Sequence, residues 1–216
     1  QASSKFALML LEQLRKVVSP KLVVRMIRPD TAKSDVIGAD TGTFDNVLGE
    51  YRLDGTDQAI YVMGPEFKHS GVTAELLLHE LLHAALAWVL YDVKNGTGTA
   101  AANILYKSLD SLRQRAIERA NKTKDLKHFA KILEGESGVD ELISWGLSNQ
   151  EFQTKVLREV TMAIALPSQT QGIVSMNGMQ AFLQAIRKFF FRATKVEPVT
   201  ETGLAVLLAN VSGLFA

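Results

Sequence analysis

The spacing of apolar residues divides the chain into a mixed N-terminal part and a longer helical remainder. Strands are predicted where short runs rich in Val and Ile lie between turn residues, and helices where apolar residues recur every three or four positions. In chain order the pattern predicts a helix at 5–18, strands at 22–27, 49–53 and 59–63, and helices at 73–91, 99–120, 125–134, 137–148, 177–193 and 200–214. This order predicts an α+β fold, in which a small antiparallel sheet with one hairpin precedes a mostly helical region.

The composition indicates a chain that can bury a sizeable core. Its 216 residues are 47% hydrophobic and 22% charged, which is typical of a globular domain. The formal net charge is only +1, so no electrostatic attraction to nucleic acid or to an anionic membrane is expected. The chain has no cysteine, which excludes disulfides, thiolate metal sites and cysteine nucleophiles. A metal ion can therefore bind only through His, Asp or Glu.

Neither end of the sequence predicts a membrane segment. Charged residues interrupt the stretch from Gln1 to Glu12 too early for a signal peptide. The apolar tail from Gly203 to Ala216 is shorter than the roughly 18 residues that suggest a membrane span, so we expect a buried helix there. Because the first residue is Gln1 rather than Met, we expect the chain to be a fragment or a processed product.

The candidate chemistry lies in His79-Glu80-Leu81-Leu82-His83, which fits the H-E-x-x-H pattern on a predicted helix. Positions i and i+4 share one helix face, so both imidazoles can bind one metal ion. Glu80 follows the first ligand and points to its side, where a carboxylate can take a proton from water that a zinc ion has acidified. The alternative is two histidines packed in a buried helix beside a satisfied Glu80, an arrangement that carries a large desolvation cost.

A catalytic zinc site needs a third protein ligand and one open position. Residues 84–89 lack the Gly and His that extend the motif in one class of zinc peptidases, and the cysteine ligand of peptide deformylases cannot exist in this chain. A carboxylate on a later helix is therefore expected. Glu141 is our choice, because Ser137 and Asp140 have the spacing of a capping box and Asp140 then belongs to the helix start. The alternatives are Asp140 itself, if the helix phase differs by one residue, and Glu134, Glu136 and His128.

Three segments of the sequence resemble gluzincin-type metallopeptidase domains, which occur in large polyvalent phage proteins and in toxin-like peptidases related to anthrax lethal factor. They are Ala59–Met63, Glu75–Ala84 and Val139–Gln153, and the resemblance spans roughly residues 45–155. It implies a zincin-like fold with Zn2+ held by His79, His83 and Glu141, and a protein or peptide as the substrate.

The sequence departs from the resembling domains at two positions. Trp145 stands where the phage domains carry a second acid, and Glu134 lies near the place where toxin-like members have a tyrosine that assists the transition state. The oxyanion helper is therefore unassigned, with Tyr61, His69, Tyr91 and Tyr106 as candidates. Glu75 lies one turn before His79 and is a candidate outer hydrogen-bond partner, although a single acid on a helix is expected to face solvent.

The resemblance implies a zincin-like metallopeptidase domain at 1–155 and a helical C-terminal extension at 156–216 that packs on it. It further implies a phage-encoded zinc endopeptidase with Glu80 as the general base, acting in the virion or the bacterial host cytoplasm as part of a larger phage polyprotein or virion. A peptide substrate is expected to add to the strand at 59–63.

Two alternatives to a peptidase stay open. The first is a non-catalytic virion or interaction module with a structural metal site, which would have a fourth protein ligand in place of water. The second is a helical interaction domain with a fortuitous motif, in which Phe182 and the phenylalanines at 189–191 dock a partner.

Overall fold

A computed structural model of the chain describes residue 14 and residues 18–28, 49–54, 57–64, 73–165 and 173–193. The α+β class is confirmed, because a three-stranded sheet precedes a mostly helical region. Most of the predicted helix at 5–18, the predicted loop at 30–46 and the predicted helix at 200–214 lie outside the described residues. The chain forms two compact units, one extending to Ala87 and the other beginning at Trp88. The domain boundary at residue 155 stays a prediction.

The sheet of the first unit consists of β1 (Val23–Ile27), β2 (Gly49–Asp54) and β3 (Asp57–Met63) in the order β1-β3-β2. The predicted hairpin is confirmed, since β2 and β3 pair antiparallel with Asp54 opposite Asp57. The sheet is mixed rather than wholly antiparallel, because β1 pairs with β3 in parallel and Val23 lies opposite Ala59. A long connection such as residues 28–48 permits that parallel return.

Strand β3 lies at the centre of this sheet and forms its buried part. Ala59, Ile60, Tyr61 and Val62 are buried, whereas Val23 and Val24 of β1 are exposed. Both sides of β3 already pair with a neighbouring strand. The prediction that a substrate peptide adds to this strand is therefore wrong, because β-strand addition requires a free edge.

Helix α1 (Ala74–Lys94) begins where the sequence predicts it and ends three residues later than predicted. Thr73 caps it as expected, because the Thr73 Oγ1 atom accepts a 3.1 Å hydrogen bond from the Leu76 amide. The buried face repeats every fourth residue through Leu78, Leu82, Leu86 and Leu90. The helix ends in a turn at Gly96, whose φ of 76° favours glycine.

The second unit continues with α2 (Ala100–Asn121), α3 (Lys127–Leu133) and α4 (Gly138–Ser148), close to the predicted helices. A 3₁₀ turn at Lys124–Leu126 leads into α3. Thr99 caps α2 by accepting a 3.2 Å hydrogen bond from the Ala102 amide. The buried stripe of α2 consists of Leu105, Leu109, Leu112, Ala116 and Ala120. None of the helices within the described ranges is both long and apolar enough to cross a membrane.

The predicted capping box at the start of α4 is wrong. Ser137 makes no side-chain cap hydrogen bond, and its φ of −86° and ψ of 12° differ from the extended conformation of an N-cap. The Ser137 carbonyl instead accepts from the Glu141 amide, and the Gly138 amide donates to the Gly135 carbonyl. The helix therefore continues directly out of the preceding turn.

The expectation that only helices follow the first sheet is also wrong. Strands β4 (Thr161–Ala165) and β5 (Ile173–Asn177) pair antiparallel as a second, two-stranded sheet. The predicted helix at 177–193 is confirmed as α5 (Gly178–Ala193). The Asn177 side chain accepts a hydrogen bond from the Gln180 amide at 2.9 Å and thereby caps its start.

Candidate metal centre

Helix α1 presents the two histidines of the H-E-x-x-H motif one turn apart on the same face. The Nε2 atoms of His79 and His83 lie 3.0 Å from each other. The two rings meet edge to face, with centroids 4.7 Å apart and an interplanar angle of 72°. The helical spacing therefore brings one nitrogen of each ring to a common point.

This separation fits two imidazoles that share one metal ion. Two nitrogens that are each about 2.0–2.1 Å from a tetrahedral zinc lie about 3.3 Å apart, which is close to the 3.0 Å between the two Nε2 atoms. Two neutral imidazoles can also share a proton at this distance, with one ring as donor and the other as acceptor.

Glu141 of α4 and these two histidines form a group that could hold a metal ion. One carboxylate oxygen of Glu141 and one nitrogen of each histidine all lie within 4.8 Å of one another. Among the residues that the structure describes, these three form the one cluster of His, Asp and Glu side chains close enough to hold a metal ion. The structure thus brings together the three residues that the sequence analysis selected as ligands.

The polar groups of the motif are largely withdrawn from water. His79 is 8% exposed, His83 is 9% exposed and Glu80 is 5% exposed, whereas Glu141 is half-buried. Their neighbours Leu78 and Leu82 are fully buried. Burial of polar side chains beside such apolar residues costs free energy unless partners compensate. A cation bound by the two imidazoles and a carboxylate would offset that cost.

The rival third ligands lie elsewhere. Glu134 and Glu136 are exposed in the turn between α3 and α4, where the Lys94 Nζ atom donates to the Glu136 carbonyl oxygen. His128 is also exposed, and its ring lies against that of Phe129 with centroids 3.9 Å apart. Asp140 belongs to the same helix as Glu141 but not to the ligand cluster.

Trp145, which lies four residues after Glu141, has a packing role in α4. The Trp145 ring packs edge-on against Phe129 of α3, with centroids 5.4 Å apart. Phe129 also packs against Phe152, with centroids 5.1 Å apart. The residue four positions after Glu141 therefore anchors α4 to α3 through aromatic contacts.

The segment after α4 has a structural role that the sequence did not reveal. The Asn149 Oδ1 atom accepts a 2.7 Å hydrogen bond from the Phe152 amide and caps the next helical segment, which includes a π-helical turn at Phe152–Val156. Gln153 is buried, and its Nε2 atom donates to the Gly146 carbonyl oxygen at 3.0 Å. The segment thus braces the helix that carries Glu141.

Sequence reasoning also missed Ser144, which is 0% exposed in the middle of α4. Its Oγ atom has no hydrogen-bond partner among the described residues. The signal for it was available in the sequence: a serine three residues after Glu141 shares part of its helix face.

The candidate oxyanion helpers differ in environment. Tyr61 is buried in the core of β3, Tyr91 is exposed, and His69 lies outside the described residues. Tyr106 of α2 is half-buried, and its pKa is raised by burial and by the negative charge of Asp110. Glu75, the candidate outer partner of a histidine, is exposed.

The arrangement of two imidazoles and one carboxylate could hold a metal ion. Three protein ligands leave one position of a four-coordinate metal for a further ligand. Such a site can polarise a bound group and acidify water, while a neighbouring carboxylate moves a proton. No protein family model, no curated protein and no solved structure matches the chain.

Proposed function

We propose that this chain is a zinc-dependent peptidase in which His79, His83 and Glu141 hold the metal. The observation that carries the proposal is the convergence of one donor atom from each of these three residues within 4.8 Å. Two histidines and a glutamate are the ligand set of one class of catalytic zinc sites in peptidases. The H-E-x-x-H pattern selected the two histidines, and the resemblance to gluzincin domains favoured Glu141 as the third ligand.

Zinc is the metal that the donor set favours. Two histidines and a carboxylate also bind iron(II) in oxygenases, so the donor types alone do not select between the two metals. The histidines here lie at i and i+4 of one helix with a glutamate directly after the first, and that pattern belongs to zinc peptidases. Metal analysis of the purified protein separates the two ions directly.

In the proposed reaction the metal ion and Glu80 have separate chemical roles. When bound, zinc supplies Lewis acidity that polarises a carbonyl group and acidifies water. Glu80 is 5% exposed and directly follows His79 in the sequence. This position suits Glu80 as the general base that takes a proton from the attacking water. The same carboxyl group then returns this proton to the leaving amine.

The proposed substrate is a peptide bond in a protein or peptide. On the basis of the resemblance, we further propose that the enzyme is phage-encoded and acts in the virion or in the cytoplasm of the bacterial host. The competing function is a non-catalytic module in which the metal is structural. A structural site has four protein ligands, and the cluster among the described residues contains three.

The deciding experiment combines metal analysis with a peptide-cleavage screen. Wild type, Glu80→Gln, Glu141→Ala and the control Glu136→Ala are purified in parallel, and each is analysed for bound metal and tested on a fluorogenic peptide library. We expect one zinc per chain in wild type, Glu80→Gln and Glu136→Ala, and strongly reduced zinc in Glu141→Ala.

Cleavage is expected in wild type and Glu136→Ala, with a fall of roughly 10²–10⁴-fold in Glu80→Gln, the usual contribution of a general base. Zinc binding without cleavage of any library peptide would favour the structural module. Absence of bound metal, even after excess zinc is added, would overturn both metal-dependent functions.

A further inference from the structure

Ser144 is a buried hydroxyl in a position that packing alone does not explain. It lies in the middle of α4 with 0% exposure, and its Oγ atom has no hydrogen-bond partner within the described part of the chain. A serine inside a helix often donates to the carbonyl oxygen four residues earlier, but Ser144 makes no such bond. Alanine would fill this position with higher helix propensity and without a polar group to desolvate.

The helix geometry directs this hydroxyl toward the turn that carries Glu141. Residues i and i+3 are neighbours on a helix surface, and side chains lean toward the N-terminal end of their helix. Ser144 follows Glu141 by three positions, so its Cα–Cβ bond tilts toward the turn that contains Glu141. The neighbouring faces of α4 are occupied, since Trp145 packs against Phe129 and Gly146 lies against the Phe182 ring.

A carboxylate that binds a metal through one oxygen needs a hydrogen-bond donor for the other. Such outer partners fix the orientation of the ligand and raise metal affinity. We propose that the Ser144 hydroxyl, which has no partner among the described residues, is this donor: when Glu141 binds a metal ion, the hydroxyl hydrogen-bonds the other carboxylate oxygen and orients Glu141 as a ligand. Ser144 is thus a positioning residue, and this inference rests on the proposed metal-binding function.

This role predicts opposite effects of one substitution on metal affinity and on stability. Ser144→Ala removes the donor, and we expect zinc affinity to fall about 10-fold or more, the usual effect of losing an outer partner. The same substitution removes a buried hydroxyl, so the thermal midpoint measured in chelator is expected to stay constant or to rise. A residue that only packs the helix would not separate these two quantities.

Two further variants sharpen the test. Ser144→Thr keeps the hydroxyl but adds a methyl group to a fully buried position, so we expect near-wild-type zinc affinity with a lower thermal midpoint. Ser148→Ala changes the same residue type on the same helix, about 10 Å along the axis from Glu141, and is expected to leave zinc affinity unchanged.

The measurement is a competition titration of the full 216-residue chain with zinc and a chromophoric chelator, paired with thermal unfolding in excess chelator. The inference is supported if wild type and Ser144→Thr bind zinc more tightly than Ser144→Ala does. It also requires that Ser144→Thr has a lower thermal midpoint in chelator than wild type and Ser144→Ala. If wild type binds zinc and Ser144→Ala binds it within about twofold, this inference is overturned while the proposed function stands. If affinity follows stability across the variants, Ser144 is structural; if wild type binds no zinc, both proposals fall.

Discussion

Gln153, which lies beyond the end of α4, donates a 3.0 Å hydrogen bond from its Nε2 atom to the carbonyl oxygen of Gly146. The last four carbonyl groups of a helix have no partner inside it, and Gly146 is among them because α4 ends at Ser148. A buried acceptor that loses its donor costs about 1–3 kcal/mol. We therefore expect Gln153→Ala to lower the free energy of unfolding by about that amount, as measured by urea denaturation.

The control for this prediction is Gln150→Ala, which removes an exposed glutamine from the same segment. A surface substitution of this kind is expected to change stability by less than about 0.5 kcal/mol. Equal stability losses in the two variants would show that the hydrogen bond to Gly146 is not what stabilises α4.

Gly146 itself is required by the close approach of α5. A Cβ atom at this position would clash with the ring of Phe182, which is fully buried. Overpacking of this kind typically costs about 1–3 kcal/mol, so we expect Gly146→Ala to destabilise the protein in urea denaturation. Gly135→Ala is the comparison, because Gly135 lies in an exposed turn without a neighbouring ring.

The cause of that destabilisation can be tested with a double mutant. Phe182→Leu replaces the ring by a smaller side chain, and the cost of Gly146→Ala is expected to shrink in that background. Residues in contact show such coupling, whereas independent sites add. Strict additivity of the two substitutions would contradict the steric explanation.

The helices and the two histidines could be predicted because their signals are local. Helix α1 follows from a stripe that repeats every fourth residue, and the same periodicity brings His79 and His83 to one face. The proposed third ligand lies far along the chain, and residue spacing alone left Asp140 as a rival to Glu141. Glu141 was selected first from a capping-box spacing that the structure does not form and then from the resemblance, and the fold brings its carboxylate to the imidazoles.

The missed features depend on tertiary contacts. The parallel pairing of β1 with β3 joins residues that are distant in sequence, and no local pattern specifies which strand occupies the centre of a sheet. Strands β4 and β5 are five residues each, short enough for their apolar runs to be taken for helix or loop. The sequence places Ser144 three residues after Glu141, but the complete burial of its hydroxyl depends on how α4 packs in the fold.

An exposed ion pair in the segment after α4 predicts a measurable pH effect. The Lys155 Nζ atom lies 2.7 Å from a carboxylate oxygen of Glu151, and this hydrogen bond with its positive charge lowers the pKa of Glu151. A carboxyl group with a lowered pKa stabilises the fold above its unfolded pKa, and that contribution is lost as the pH falls through the folded pKa.

We therefore expect Lys155→Met to raise the pKa of Glu151, as followed by NMR titration of its side-chain carboxyl carbon. The Lys131→Met variant removes an exposed lysine from α3 and is expected to leave that titration unchanged. An unshifted Glu151 titration in Lys155→Met would contradict the ion pair.

The proposed metal binding by His79 and His83 predicts a thermal shift that depends on both rings. A ligand that binds only the folded protein at 100 times its dissociation constant stabilises it by about 2.7 kcal/mol. For a chain of this size each kcal/mol raises the midpoint by about 2–4 °C, so we expect zinc to raise it by roughly 5–10 °C in scanning fluorimetry and excess chelator to reverse the shift.

His83→Ala removes one of the two converging nitrogens and is expected to abolish most of the shift. His128→Ala removes an exposed histidine outside the cluster and is expected to keep it. Equal shifts in the two variants would mean that zinc binds somewhere other than the H-E-x-x-H helix.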